Sequence, residues 1–230
     1  RLLPYAVRLQ QLVEEARHAF ADDGAPKGAL PVGSLETTAA LRLSSHLSAY
    51  AAAYPEVDLV LRTGTSCELV KDVLEFRLEG AFVCGPVNHP DLEERPVFRE
   101  ELVILTPPEM RSLDEPFGKR EVKIIVLRAG CSYRQRLEEI LARRGVVNVR
   151  RLEFGTIEAI LGCVAGGIGI TLLPRSLVDV TLPSNRVAMH ELPVAEAMVD
   201  TVFIRRREAF MSSALTAFLK QTCPVTLRVQ

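Results

Sequence analysis

The sequence predicts an α/β fold made of two similar halves, and three observations carry that prediction. Between Lys27 and Pro174 the order strand, capped helix, strand, capped helix, strand occurs twice. The strands are short and nearly continuous in apolar character, as parallel strands covered on both faces are. The strand-to-helix junctions carry Ser or Thr, whose side-chain oxygens satisfy the free amides of a helix N-terminus.

The first half begins with GALPVGS (28–34), where Leu30 and Val32 suit a buried strand. Thr37 or Thr38 is expected to cap a helix running to about Ala53, ended by Tyr54-Pro55 because the residue before proline avoids the helical region. VDLVLR (57–62) is the next strand. Thr65-Ser66-Cys67-Glu68 has the spacing of a capping box, with Glu68 returning a hydrogen bond to the Thr65 amide. That helix is expected to reach about Leu78, and GAFVCG (80–85) forms the following strand. Residues 95–106 read as extended and stop at Pro107-Pro108, where a first crossing between halves is expected.

The second half repeats the pattern with VKIIVLR (122–128) and then Ser132-Tyr133-Arg134-Gln135, a second expected capping box, whose helix ends at Gly145. VRRLEF is a strand, Thr156 is expected to cap the next helix, and GIGITLLP (167–174) closes the repeat. Strands are expected in 186–192 and 198–206, then a helix from about Glu208 to Gln221. FIRR is expected to carry the chain back to the first half.

Ahead of the repeat, Leu2 to Phe20 reads as an amphipathic helix. Leu2, Leu3, Ala6, Leu9, Leu12, Val13, Ala16 and Phe20 recur at three- and four-residue steps, and Arg8, Gln11, Glu15 and Arg17 take the other face. Its apolar stripe needs a partner, either its own domain or a second chain.

Bulk properties exclude several classes. A chain of 230 residues with 48% apolar and 25% charged residues supports one large or two small globular domains. A formal net charge of −1 argues against a strongly basic nucleic-acid surface within this stretch. The sequence has neither an apolar run of membrane-spanning length nor a basic-then-apolar leader. Lacking an initiator Met, it is expected to be a piece of a longer chain. The five cysteines are scattered without a CxxC pair, and His18, His46, His89 and His190 stand apart. Reduced thiols and a cytoplasmic setting are expected, with no metal site and no cofactor.

The capped turns are the main binding candidates. After parallel strands, helix N-termini and their amides collect at the carboxyl edge of the sheet, where open α/β sheets bind ligands. Any single capping Ser or Thr is more simply explained by its own helix; the repetition across two halves favours a shared cradle for a small polar ligand. Glu36 would repel an anion there, complement the helix N-terminus from outside or attract an amino group, while Arg128 and Arg134 would offset it, so ligand charge is open. Cys131 beside those arginines would have a depressed pKa, and its simplest role is a small lining residue. Gly166-Gly167-Ile168-Gly169 follows a helix and precedes a strand, the reverse of a phosphate-cradling order. Its expected role is to end the helix and bring the strand close. Arg205-Arg206-Arg207 and the pairs Arg143-Arg144 and Arg150-Arg151 read as solvated surface. No GxSxG, HExxH or Walker pattern is present, and an enzyme is not expected.

The stretches LLPYAVRLQQLVEEA, LPVGSLETTAALRLSSHLSAYAAAYPEVDLVLRTGTSCELVKDVLE, GAFVCGPV with EELVILTPP, GCSYRQRLEEIL and TIEAILGCVAGGIGITLLP follow one another in a recognisable order. In that order and spacing the chain resembles the effector-binding part of the LysR-type transcriptional regulators. The resemblance implies two Rossmann-like lobes joined by two crossing strands, a type II periplasmic-binding-protein-like fold, preceded by a linker helix. The implied organisation is a linker helix over 1–24, a first subdomain over 27–106 and 207–224, and a second over 107–206. It implies an effector site from Ser34, Glu36, Thr37, Gly64, Thr65 and Ser66 with Gly130, Cys131, Ser132, Tyr133 and Thr156; Ser34 and Thr65 match best. It further implies a homodimer or tetramer, and DNA binding only through a winged helix-turn-helix absent from these residues. The rival reading is a solute-binding protein of a transport system with the same fold.

Overall fold

The computed structural model describes residues 2–114, 121–181 and 186–223. The side chains of Leu3, Pro4, Val7, Arg8, Gln11, Glu14, His18 and Val180 also fall outside this description. The side chains of Leu3, Arg8 and Gln11 on the expected helix faces, and residue 224 at the expected end of the first subdomain, therefore lie outside the description. The chain divides into two compact units, 1–98 with 200–230 and 99–199.

In unit 1, β1 (Gly28–Ser34) lies between β2 (Val57–Thr63) and β3 (Gly80–Cys84), parallel to both. β3 pairs antiparallel with β9 (Met198–Arg206), and β4 (Leu92–Thr106) follows β9 in the sheet. Side chains alternate across this sheet, as a period of two requires. Leu30, Val32, Phe82 and Phe203 point to one face, where Tyr50, Leu215 and Phe218 join them from α3 (Ser44–Ala53) and α9 (Ser213–Thr222). Ala81, Val83, Val202 and Ile204 point to the other, against Leu69 and Val73 of α4 (Ser66–Leu74). Coverage on both faces explains the apolar run of β3, whereas β2, expected from VDLVLR to be covered on both faces, is an edge strand with Val60 49% exposed. Tyr50 and Phe218 meet edge to face, centroids 5.3 Å apart, and the Tyr50 hydroxyl donates to the Ala214 carbonyl at 2.8 Å.

Unit 2 repeats the order. β5 (Glu121–Leu127) and β6 (Asn148–Phe154) are parallel neighbours. On its other side β5 meets the lead-in to β7 (Thr171–Pro174) through a parallel bridge between Ile124 and Ile170. β7 runs antiparallel to the second part of β4, which also pairs with β8 (Ala188–His190). α5 (Ser132–Arg143) buries Tyr133, Leu137, Ile140 and Leu141; α6 (Ile157–Ala165) buries Ile157, Ile160, Leu161 and Val164. Gly167 has φ +79°, and a Cβ on Gly169 would sit 2.5 Å from the Lys123 carbonyl oxygen. The glycines thus end α6 and admit the next strand close to β5, as expected from their order.

Several elements differ from the sequence reading. The helix expected from Thr37 or Thr38 starts at Glu36, as α2 (Glu36–Thr38), with Leu35 at its N-cap and no side-chain cap. It passes through a π-helical turn at Ala39–Leu43 before α3. Here the Leu35 amide donates to the Phe82 carbonyl at 3.1 Å, so the neighbouring strand sets where β1 ends. α4 stops at Leu74 rather than near Leu78, because Phe76 takes φ 61° and the Asp72 carbonyl accepts from both Arg77 and Leu78 amides. The last helix begins at Ser213, not Glu208, capped by the Ser212 hydroxyl accepting from the Leu215 amide at 3.0 Å. Two short helices, α7 (Arg175–Thr181) and α8 (Val194–Ala197), were not expected from the sequence.

The N-terminal helix α1 (Leu3–Ala21) docks on unit 1 by its polar side. Glu15 accepts from the Phe210 amide at 2.8 Å and pairs with Arg206 at 3.4 Å. Leu2, Leu9, Leu12, Val13 and Phe20 of its expected apolar stripe are all exposed, with Phe20 at 95%.

Candidate functional site

Parallel pairing decides which predicted residues meet within each unit. In unit 1, Ser34 stands opposite Thr63, so the turns leaving β1 and β2 emerge side by side. The Gly64 amide donates to the Ser34 carbonyl at 3.2 Å. This groups Ser34, Glu36 and Thr37 with Gly64, Thr65 and Ser66 at one sheet edge. In unit 2, Leu127 stands opposite Phe154, which likewise places Gly130, Cys131, Ser132 and Tyr133 beside Thr156.

Within the unit 1 group the capping box is present. Thr65 Oγ1 accepts from the Glu68 amide at 3.3 Å, and Glu68 Oε2 accepts from the Thr65 amide at 2.9 Å. The Thr65 hydroxyl also donates to the same carboxylate oxygen at 2.9 Å. Ser66 Oγ accepts from the Cys84 amide at 3.2 Å, tying α4 to the end of β3. Ser34 is wholly buried, and its hydroxyl donates to the Leu35 carbonyl at 3.0 Å. Thr37 is buried and Glu36 exposed, both in the first turn of α2.

The unit 2 group differs from expectation in two respects. Ser132 does not form a capping box: Cys131 is the N-cap residue, without a side-chain cap bond. Gly130, at φ +93°, turns the loop one residue earlier, and the Cys131 carbonyl accepts the first helical bond from Gln135 at 3.3 Å. Nor is the Cys131 thiol acidic. Burial raises its pKa above the ordinary value and outweighs the nearby backbone bonds and Arg134. Arg134 itself is engaged, its Nη1 donating to Glu153 at 2.6 Å and its Nε to Glu138 at 3.2 Å. Thr156 caps α6 as expected, accepting from the Ala159 amide at 3.3 Å.

Unit 2 also holds a recess lined by Val126, Cys131, Tyr133, Leu137, Ile160 and Thr171, among others, with about 10 Å³ of water-sized space. Thr171 was not among the predicted site residues. The available signal was its hydroxyl inside the apolar run IGITLLP. Among the described residues there is no cluster of His, Cys, Asp and Glu able to hold a metal ion, and no helix long and apolar enough to cross a membrane.

Comparison with known proteins agrees with this architecture. The family model described as "LysR substrate binding domain" matches residues 23–222. The chain is 40% identical over 218 residues to the HTH-type transcriptional regulator GltR of Bacillus subtilis, covering 95% of this chain and 74% of GltR. It is 38% identical over 229 residues to the HTH-type transcriptional regulator SoxR of an Arthrobacter species, covering 99% of this chain and 78% of that protein. Among solved structures, the effector binding domain of QuiR in complex with shikimate superposes with TM-score 0.70 at 15% identity, over 86% of this chain and 96% of that one. That likeness shows the fold, the mixed α/β periplasmic-binding-protein-like architecture of such effector domains. The chain belongs to the LysR-type transcriptional regulators, of which it is the substrate-binding domain.

Proposed function

We propose that these groups of turns contact a small-molecule effector, with no catalytic step. The observation that supports this is the pairwise gathering of turns at one sheet edge in each unit, through the Ser34–Thr63 and Leu127–Phe154 registers. Helix N-termini at such an edge present amide donors and the positive end of the helix dipole. The effector contacts of this reading are Ser34, Glu36, Thr37, Gly64, Thr65 and Ser66 in unit 1, and Gly130, Cys131, Ser132, Tyr133 and Thr156 in unit 2. An effector alters regulation through unequal affinity for two conformations of the protein.

The subdomains of this reading are 27–106 with 207–224, and 107–206. The linker helix, 1–24, pairs with a second copy of the chain, giving a dimer or tetramer. Exposure of Leu2, Leu9, Leu12, Val13 and Phe20 supports that pairing. DNA is bound through a helix-turn-helix outside these residues, in the cytoplasm; the relatives' description as HTH-type regulators supports this part.

Thermal-shift screening against a metabolite library, followed by calorimetry, tests the site. A hit should lose affinity in Ser132→Ala at unchanged melting temperature; unchanged affinity would remove Ser132 from the site. Light scattering on Leu9→Asp and Leu12→Asp tests the pairing, and an unaltered mass for both would end it.

A further inference from the structure

The recess in unit 2 has a chemical character that the surrounding turns do not. Its walls from Val126, Leu137 and Ile160 are apolar. Thr171, also in its lining, is 2% exposed; its hydroxyl has no side-chain hydrogen bond among the described residues and is not one of the fully enclosed unpartnered atoms, so it opens on the recess. A hydroxyl that opens on a small recess and has no protein partner is completed there by a water or a ligand atom. The space of about 10 Å³ admits one water-sized group.

Charge is poorly served there. Arg134 contributes to the lining, but its guanidinium is already shared between Glu138 and Glu153, which offset it. Burial keeps the Cys131 thiol protonated at neutral pH, so it supplies neither a negative charge nor a strong acceptor. A carboxylate or ammonium entering this recess would lose its hydration and find no compensating ion.

We propose that the recess receives one small, uncharged hydrogen-bonding substituent of the effector, a hydroxyl or a group of its size, with Thr171 as its partner. This rests on the reading that Gly130 to Tyr133 face the effector. In the free protein a water holds the place, and the substituent displaces it while reproducing its hydrogen bond. A site built to pair a buried hydroxyl discriminates against analogues that lack one, because its own polar group is then left unmatched. Thr171 is in this sense a specificity-determining residue.

Amide-resolved NMR titration of the 230-residue chain with methanol, formate and methylammonium tests the proposal with probes of similar size and different charge. Methanol should give saturable shifts at Cys131, Tyr133 and Thr171, while formate and methylammonium leave those amides in place. Thr171→Val should weaken methanol binding about 5- to 10-fold, the share of one hydrogen bond, and Thr171→Ser should retain it. Formate saturating the same amides as well as methanol would overturn the proposal, as would undiminished methanol binding by Thr171→Val. Should the valine variant fail to fold, the methanol-to-formate ratio in the unsubstituted chain decides alone. Once an effector is found, one weakened by Ser132→Ala but indifferent to Thr171→Val sinks the recess only. One indifferent to both sinks the wider site as well.

Discussion

Replacing Thr65 by valine separates what this residue does for the fold from what it does for a ligand. Thr65 is 7% exposed and holds the N-terminus of α4. Its hydroxyl accepts from the Glu68 amide at 3.3 Å and donates to Glu68 Oε2 at 2.9 Å. Valine has nearly the same shape, so no cavity opens, and the backbone bond from Thr65 to Glu68 survives. The loss is the cap itself, about 1 kcal/mol and at most about 2. In a domain of this size each kcal/mol moves the melting temperature by about 2–4 °C. Thr65→Val should therefore melt roughly 2–8 °C lower, and Thr65→Ser, which keeps the oxygen, should melt within about 2 °C of the unsubstituted chain. Calorimetric melting at neutral pH measures both. A valine variant as stable as the parent, or a serine variant as unstable as valine, would refute the capping argument. Effector affinity is then compared well below both transitions, so that any further loss belongs to the ligand.

Gly80→Ala should be more damaging, because the added Cβ would sit 2.2 Å from Phe203 Cζ and 2.8 Å from the Ile204 carbonyl oxygen. Relief requires the sheet to shift, and a loss of about 2–3 kcal/mol is expected in urea titration; a neutral effect would mean that Phe203 swings freely. Burial pushes the Tyr50 phenol up to about 12. The unfolded chain ionises first, near pH 10, so this contribution is intact below pH 10 and falls as pH rises toward 12, by about 2–3 kcal/mol in all. Tyr50→Phe should be about 1 kcal/mol less stable at pH 7, from the lost bond to Ala214, and show a flatter decline above pH 10. Parallel declines in the two proteins would rule out Tyr50 as their source. The raised Cys131 pKa means little thiolate at neutral pH, so iodoacetamide should label exposed Cys67 well before buried Cys131 at pH 7, by peptide mass mapping. Preferential labelling of Cys131 would show that the dipole and Arg134 win over burial.

Legibility followed the range of the interactions involved. The Thr65–Glu68 box closes within one helical turn, so its spacing alone was enough. Thr156 is the same case, its partner Ala159 lying three residues on. The Ser132 box has equally suitable spacing yet is absent, because the backbone of Gly130 shifts the helix start by one residue. Thr37 and Thr38 failed as caps for a longer-range reason, the bond from Leu35 to the Phe82 carbonyl on a neighbouring strand. Cys131 shows the sign of an electrostatic effect reversing: basic neighbours are visible in sequence, but the burial that outweighs them is not.

By itself the sequence determined the α/β class, the repeated order of elements and the family, since periodicity, capping and motif order are written along the chain. Tertiary structure alone decided that β1 and β2, and β5 and β6, set their turns side by side in register. It also decided that α1 docks through Glu15 with its apolar stripe outward, and that Thr171 comes to line a recess with Cys131. The physical reason is the same throughout. Local hydrogen bonds are selected by neighbouring residues, whereas burial and the meeting of distant side chains depend on how strands pair and helices pack.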